Sequence, residues 1–252
     1  MRTCFTVIDF PIDMLKYQAV LFDLDGTLLP MHEPDFVACF YQALIEYIAP
    51  MGTSEKQVGE LLKGSLAYVI NNDGSRLNRQ AFADYYEAYH KSCGLYIDIA
   101  RMEQFYATVF DARVRASCGC DPHAQTAVSY IKSAATPMVI ATNPFFPQVA
   151  THARILWAGL DPHDFTEITT YENYHYCKPN MKYYQELFER TGFDPQQCLM
   201  VGNNVDEDMI ASKLGCDVFL ILRNLINVRH ADISVYPRGS LNDLVEFLKN
   251  KQ

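Results

Sequence analysis

Two carboxylates follow directly after a short apolar run near the start of the chain. The residues AVLF lead into Asp23, one residue intervenes, and Asp25 follows within the sequence DLDGT. Residues two apart in an extended segment point to the same side, so the charge of Asp23 raises the pKa of Asp25. A carboxyl group that keeps its proton can pass it to a leaving group, and paired carboxylates attract a hard cation. The spacing therefore raises the question of what chemistry two carboxylates at the end of a buried segment serve.

Polar side chains also follow three later apolar segments. They are Thr142 and Asn143 after the second segment, Lys178 beyond the third, and the run from Asn203 to Asp208 after the fourth. Each has an ordinary structural explanation, since Thr142 can cap a helix, Lys178 can be solvated, and acidic residues favour a helix start. Their joint occurrence at successive segment ends is harder to explain in that way and favours a functional site.

The apolar segments themselves predict buried strands. Five short runs rich in β-branched and apolar residues fit strands buried on both faces, at 19–23, 137–142, 167–171, 198–202 and 217–222. Helical patterns separate the later ones, at 148–160, 180–192 and 206–215. Strands that alternate with helices run parallel, joined by right-handed crossovers. The predicted fold class is α/β, a three-layer, Rossmann-like, doubly wound parallel sheet, which binds ligands at the carboxyl ends of its strands.

The connection between the first and second strands is exceptional, because it is far longer than a crossover requires. Its helical patterns lie at 34–48, 55–70 and 78–94. They predict an inserted, all-helical cap domain over residues 31–118. The core α/β domain is then formed by residues 14–30 and 119–252, and residues 1–13 are predicted to be a disordered extension.

Composition limits the classes of partner. Of 252 residues, 49% are hydrophobic and 20% charged, and the formal net charge is -9. This is the makeup of an ordinary globular protein, and the negative field disfavours nucleic acid and anionic membrane surfaces. The sequence has no apolar run near the length of a membrane span and no signal-peptide pattern, so we expect no membrane partner and a cytoplasmic location. Most of the eight cysteines are expected to be reduced, because they are scattered through a chain too long to need disulfides. The close pair Cys118 and Cys120 lacks the spacing of a zinc site.

Four motifs make the chain resemble the haloacid dehalogenase (HAD) superfamily of phosphohydrolases. They are DLDGT at 23–27, the strand-end Thr142, CKPN at 177–180 and VGNNVDEDM at 201–209. The helical insertion after the first motif is similar to the cap of the branch that includes phosphoglycolate phosphatase. The resemblance implies a capped, Mg²⁺-dependent phosphatase that acts on a small phosphorylated metabolite.

The resemblance also implies a role for each residue of the first motif. Asp23 would be the nucleophile that forms an aspartyl-phosphate, and Asp25 the general acid and then the base for the attacking water. Gly26 permits a tight turn and a close approach of phosphate to the backbone. Substrate contacts are predicted for Gly26, Thr27 and Asn143.

The remaining motifs are implied to supply neutralising groups. Thr142 would donate a hydrogen bond to a phosphate oxygen, and Lys178 would be a fixed cation that also pairs with the strand-end carboxylates. The predicted Mg²⁺ ligands are Asp23, the backbone carbonyl of Asp25, Asn203 and Asp208.

One position departs from the family pattern. The residue after Gly202 is usually an aspartate, and here it is Asn203. An amide oxygen can ligate Mg²⁺ but brings no negative charge, so metal affinity is expected to fall unless Asp208 compensates. Weakened or absent activity therefore stays open beside retained metal-dependent catalysis.

Several alternatives are open at the level of sequence. Asp25 favours phosphoester hydrolysis over carbon–halogen cleavage, because dehalogenases of the superfamily lack this second aspartate. A phosphomutase, a phosphoacceptor domain and a phosphate-binding protein with weak or no turnover remain possible. Arg76 suits a second anionic group on the substrate or, equally, a solvated helix connector. The expected partner is a small phosphorylated substrate, bound by a monomer or a homodimer.

Overall fold

The computed structural model describes residues 15–93 and 97–250, with the side chain of Met51 left aside. The predicted disordered extension at 1–13 lies outside these residues. Six parallel strands form one sheet: β1 (Ala19–Phe22), β2 (Met138–Ile140), β3 (Glu167–Ile168), β4 (Cys198–Gly202), β5 (Asp217–Ile221) and β6 (Arg238–Gly239). The five predicted strands are present, and β6 was not predicted. The strand order β3-β2-β1-β4-β5-β6 places the reversal of winding direction between β1 and β4.

The helices fall into two groups. Between β1 and β2 lie α1 (Glu33–Ile48), α2 (Glu55–Ile70), α3 (Asn78–Cys93), α4 (Ile99–Phe105) and α5 (Asp111–Val114), with a π-helical turn at Tyr106–Phe110. We call these the inserted helices. The others are α6 (Pro122–Ser133), α7 (Gln148–Trp157), α8 (Met181–Thr191) and α9 (Leu241–Lys249). None of the helices described is long and apolar enough to cross a membrane.

The central strands β1, β2 and β4 are buried on both faces because they carry apolar or small residues at every position. On β1, Val20 and Phe22 pack on one face with residues of α6, α7 and α9, whereas Ala19 and Leu21 pack on the other face with residues of α8. This packing gives three layers, helices on either side of a parallel sheet. The predicted three-layer, Rossmann-like α/β class is confirmed.

The inserted helices begin and end at neighbouring points of the core. Met31 pairs with Cys118 in an antiparallel bridge, and the Gly119 N–H donates to the Pro30 carbonyl at 2.7 Å. Within the insertion, α2 starts at a capping box in which Ser54 and Gln57 bond each other's backbone N–H groups. The division into two domains at 31 and 118 stays a prediction.

One predicted helix has a different form. The segment at 206–215 contains a 3-10 helix at Met209–Leu214 and no α-helix. The Asn204 side chain accepts hydrogen bonds from the backbone N–H groups of Asp206 and Glu207. The Asp208 side chain accepts a hydrogen bond from the backbone N–H of Asn204. These side-chain bonds hold the start of the segment in turns that compete with an α-helix.

Candidate active site

The carboxyl ends of β1, β2 and β4 meet at one edge of the sheet, because the three strands are parallel neighbours. A cavity of about 800 Å³ opens there. The predicted site residues that line it are Asp23, Asp25, Gly26, Thr142, Asn143, Asn203 and Asp208. Thr27 and Lys178 are buried, and both contact Asp23. The structure therefore brings together nine of the ten predicted site residues, and we call this group the floor of the cavity.

Lys178 lies between two carboxylates. Its Nζ is 2.9 Å from Asp23 Oδ1 and 2.6 Å from Asp208 Oδ1, and all three side chains are buried. Burial alone would lower the pKa of Lys178, but Asp208 and Asp23 more than offset this effect and hold that pKa well above its usual range. Lys178 is therefore a permanent cation in contact with Asp23.

The same cluster carries an excess of negative charge. Asp23 and Asp208 share the single ammonium group of Lys178, and burial raises the pKa of Asp208 to about 6. The second oxygen of Asp208, Oδ2, accepts the N–H of Asn204 at 2.9 Å. Each oxygen of Asp208 thus accepts one hydrogen bond within the protein, and through Oδ1 Asp208 anchors Lys178. The role of metal ligand stays a prediction for Asp208 beside this anchoring role.

Asn203 is held by three neighbours. Its Oδ1 accepts from the Thr27 hydroxyl at 3.1 Å, and its Nδ2 donates to the carbonyl of Asn224 at 2.7 Å. The Thr27 hydroxyl is also 3.2 Å from Asp23 Oδ2. Gly26 has a left-handed backbone, φ +83°, and a side chain there would collide with the Asn203 amide nitrogen. Gly26 is thus required by the turn and by the close approach of Asn203.

These contacts decide which residues suit a cation. Asp23 Oδ2 and Asn203 Oδ1 both lie within 3.2 Å of the Thr27 hydroxyl, and two oxygens of this kind are ligands that Mg²⁺ accepts. The excess negative charge beside Lys178 would be balanced by a bound cation. The described residues contain no cluster of three or more His, Cys, Asp or Glu side chains able to hold a metal. The donor set therefore fits Mg²⁺, with one carboxylate from Asp23 and one amide oxygen from Asn203. This set carries less negative charge than two carboxylates would.

Thr142 and Asn143 connect the loops around the floor. The Thr142 carbonyl accepts from the hydroxyls of Thr169 and Tyr183, and Thr142 lines the cavity. Asn143 Oδ1 accepts the backbone N–H of Lys178 at 2.9 Å, and Asn143 Nδ2 donates to Glu207 at 2.8 Å. Both ends of the Asn143 amide are used within the protein. Its position favours a structural clamp over the substrate contact predicted for it.

Sequence reasoning missed Arg154, on α7. Its side chain is fully buried, its Nη1 is paired with Asp25 Oδ2, and its guanidinium carbon lies 4.2 Å from the centre of the Phe146 ring. A further nitrogen, Nη2, donates to the Thr151 hydroxyl at 3.3 Å. A charged residue among the apolar residues of this helix was the available signal, but only the packing of α7 shows that it reaches Asp25.

Asp25 combines a charged partner with an unused oxygen. Burial raises its pKa, Arg154 acts in the opposite direction, and the nearby Asp23 adds to the rise. The second oxygen, Oδ1, is buried and has no hydrogen-bond partner in the structure. A buried oxygen of this kind is costly unless a ligand completes it. Asp25 is therefore placed to exchange a proton with a group that enters the cavity.

Arg76 is the predicted residue that lies elsewhere. It pairs with Asp84 and does not line the cavity. In the same turn, the Asn72 side chain donates to the carbonyls of Arg76 and His175. The structure favours the helix-connector alternative for Arg76 over contact with an anionic substrate group.

Comparison with known proteins shows which family the chain resembles. The sequence matches the model for haloacid dehalogenase-like hydrolases over residues 17–214. It is similar to an (S)-2-haloacid dehalogenase of Pseudomonas putida, with 23% identity over 238 residues that cover 92% of this chain and 96% of that protein. A HAD phosphatase from Thermococcus onnurineus superposes with a TM-score of 0.55 at 19% identity, covering 91% of this chain and 97% of that one. The HAD hydrolase YfnB of Bacillus subtilis, solved bound to magnesium, gives a TM-score of 0.56 at 20% identity, covering 92% and 99%. At these identities the structural matches show a common fold.

Proposed function

Because the chain belongs to the haloacid dehalogenase-like hydrolases, we propose that it hydrolyses phosphomonoesters through an aspartyl-phosphate on Asp23. The observation that carries the proposal is Asp25, whose pKa is raised by burial and whose Oδ1 has no partner. An alkoxide leaving group needs a proton, whereas a departing halide does not. A second carboxyl group ready to hold a proton beside the first therefore favours phosphoester chemistry.

The first step transfers the phosphoryl group to the protein. A carboxylate oxygen of Asp23 attacks phosphorus, the bond between phosphorus and the ester oxygen breaks, and Asp25 gives its proton to that oxygen. Lys178 stabilises the charge that gathers on the transferring group, and the Thr142 hydroxyl donates to one of its oxygens. The product alcohol leaves, and Asp25 is left as a carboxylate.

The second step restores the free protein. The Asp25 carboxylate takes a proton from water, the water oxygen attacks phosphorus, and the bond from Asp23 to phosphorus breaks to release inorganic phosphate. Arg154 holds Asp25 in place through both steps by contact with Oδ2, so that Oδ1 carries the proton. One side chain thus serves as acid and then as base.

Mg²⁺ is the cofactor that this proposal includes. Asp23, the Asp25 carbonyl and Asn203 would hold it, and it would offset the repulsion between the phosphate and the Asp23 carboxylate. The support for this assignment is the pair of oxygens around the Thr27 hydroxyl and the excess negative charge beside Lys178.

A second candidate is cleavage of a 2-haloacid, favoured by the similarity to a dehalogenase along 92% of this chain. A haloacid carries a carboxylate that needs a cation near the reacting carbon. Lys178 on the floor is already shared by Asp23 and Asp208, and Arg154 is paired with Asp25. Apart from these, Lys63 on α2 is the single Lys or Arg among the described residues that line the cavity. This charge pattern makes haloacid cleavage the weaker candidate.

The test measures both products. Phosphate release from aryl and alkyl phosphates is followed with and without Mg²⁺, and halide release from (S)-2-chloropropionate is followed in parallel. We expect Mg²⁺-dependent phosphate release that Asp23→Asn abolishes. As the matched control, Asp206→Asn should keep activity within about threefold, because that carboxylate faces Arg229. Halide release without phosphate release would overturn the proposal.

A further inference from the structure

The wall of the cavity that faces the floor is apolar. Three of the inserted helices supply it, with Phe36 and Phe40 from α1, Leu62 and Leu66 from α2, and Phe82 and Tyr86 from α3. On the side of the core, Phe145 and Phe146 continue this surface. The space above Asp23 and Asp25 is therefore enclosed mainly by aromatic and aliphatic side chains.

Two hydroxyl groups of this wall, those of Tyr41 and Ser65, are used within the protein. The Tyr41 hydroxyl donates to the Glu55 carbonyl at 2.6 Å, and the Ser65 hydroxyl donates to the Leu62 carbonyl at 3.1 Å. A sugar or another polyol would need several partners for its hydroxyl groups on entering such a space, and each unpaired hydroxyl would weaken its binding. The wall offers little to replace the water that such a substrate loses.

Charge also restricts the substrate. Above the floor, Lys63 is the single Lys or Arg that lines the cavity in the described part of the chain, and its side chain is exposed. Glu33 and Glu207 line the same cavity in addition to the reactive carboxylates. A second phosphate or carboxylate on the substrate would meet repulsion here. The favoured leaving group is therefore uncharged.

Apolar surface is left in contact with solvent where substrate would enter. Val37 on α1 is 52% exposed and Leu66 on α2 is 38% exposed, and both line the cavity. Covering these side chains with a hydrocarbon group would remove apolar area from water on both partners. The phosphate end of such a molecule would reach the floor, where Lys178 and Thr142 lie.

We propose that the substrate is the phosphomonoester of a large apolar alcohol, with its hydrocarbon part against the inserted helices and its phosphate at Asp23. This inference rests on the proposed phosphatase activity. The volume of about 800 Å³ accommodates a drug-sized molecule. Substrate selection would then come from burial of the hydrocarbon part, and polar phosphates of similar size would be poor substrates.

The test uses butyl, hexyl and octyl phosphate, whose leaving alcohols have nearly the same acidity, at concentrations below micelle formation. We expect kcat/KM to rise with chain length by up to about fourfold for each methylene that becomes buried. Glycerol phosphate and a hexose phosphate should be turned over at least about tenfold less efficiently than octyl phosphate. Because the chemical step is the same, the gain should appear mainly in KM.

Two substitutions in α2 test whether the dependence on chain length comes from the wall. Leu66→Ser should lower kcat/KM for octyl phosphate by about fivefold to tenfold and leave butyl phosphate nearly unchanged. Ile70→Ser is the matched control, since Ile70 lies on the same helix, is 40% exposed and does not line the cavity. It should leave the dependence on chain length unchanged.

The outcomes separate the two proposals. Asp23-dependent phosphate release that is flat with chain length, or that is faster with the polar phosphates, would overturn the apolar substrate and leave the phosphatase proposal intact. If no alkyl or aryl phosphate is hydrolysed at saturating Mg²⁺, the phosphatase proposal fails and this inference fails with it.

Discussion

The floor and the apolar wall of the cavity differ in how their side chains are fixed. On the floor, Lys178 and Asp208 are tied by ion pairs and hydrogen bonds, and Asp25 Oδ1 is the carboxylate oxygen left without a partner. On the wall, the side chains are fixed by packing, as in the contact of Phe40 with Phe105 at a ring-centre distance of 5.6 Å. Buried charges tolerate few alternatives, whereas apolar packing tolerates substitution by residues of similar size.

This difference assigns two tasks to the two surfaces. Preorganised charges stabilise a transition state without reorganising during the reaction, so the floor sets the type of chemistry. Apolar contact area changes binding in proportion to the area that is covered, so the wall sets which leaving group is accepted. Substitutions on the floor should therefore cost both rate and stability, and substitutions on the wall should mainly change KM.

The largest effect is expected for Lys178→Met. It leaves the Asp23 and Asp208 carboxylates buried without their cation, which should lower the free energy of unfolding by about 3–5 kcal/mol and abolish phosphate release. Lys182→Met is the control, because Lys182 is exposed four residues away on α8. Urea unfolding at pH 7 measures the difference between the two variants.

The loss in Lys178→Met should also depend on pH. Burial already raises the pKa of Asp208 to about 6, and without Lys178 it should rise further. An acid with a higher pKa in the folded than in the unfolded protein destabilises the fold where the folded form is ionised. The deficit should therefore shrink as the pH falls from 7 to 5. An unchanged deficit at pH 5 would contradict a floor balanced by this lysine.

A smaller effect is expected for Arg154→Met, which removes the charged partner of Asp25 and leaves a shorter, unbranched apolar side chain. We expect kcat to fall by about tenfold to a hundredfold, because Asp25 is no longer held in place. Since Arg154 opposes the raised pKa of Asp25, its removal should raise that pKa further. Asp25 then keeps its proton to higher pH, and the alkaline limb of the plot of kcat/KM against pH should shift to higher pH.

The control for Arg154→Met is Arg190→Met. Arg190 on α8 pairs with Glu167 at 3.1 Å and does not line the cavity. It should leave the pH profile where it is. If both variants gave the profile of the unchanged protein, Arg154 would serve packing alone.

The sheet could be predicted because its strands consist of continuous apolar runs, and β1 and β4 fall at the predicted positions. The bounds of α2 were also predictable, because Ser54 and Gln57 mark its start. Strand β6 was not predictable, since Arg238–Gly239 is too short and polar to show a pattern. Helix α9 was missed although Ser240 and Asp243 form a readable capping box at its start.

The floor was predictable to the extent that its residues lie at strand ends, where parallel topology brings them together. Arg154 was missed because it lies on a helix, and its contact with Asp25 depends on how α7 packs on the sheet. The pairing of Lys178 with strand-end carboxylates was expected from the resemblance, but the second bond of Asp208, to the Asn204 N–H, is visible only in the structure. The sequence shows that Asn203 replaces the usual aspartate. It does not show the contacts with Thr27 and Asn224 that suit an amide at this position.

The smallest effect is expected for Asn203→Asp, which replaces the amide by the more usual carboxylate. The new oxygen faces the Asn224 carbonyl in place of a donor, so without Mg²⁺ the free energy of unfolding should fall by about 1–3 kcal/mol. Added Mg²⁺ should restore much of this loss and half-saturate activity at a severalfold lower concentration than in the unchanged protein. Asn204→Asp is the matched control, because Asn204 uses its oxygen as an acceptor for two N–H groups, and the same added charge there should cost little. Equal Mg²⁺ dependence in both variants would mean that residue 203 does not contact the metal, and the floor would then bind its cation through Asp23 without help from this side chain.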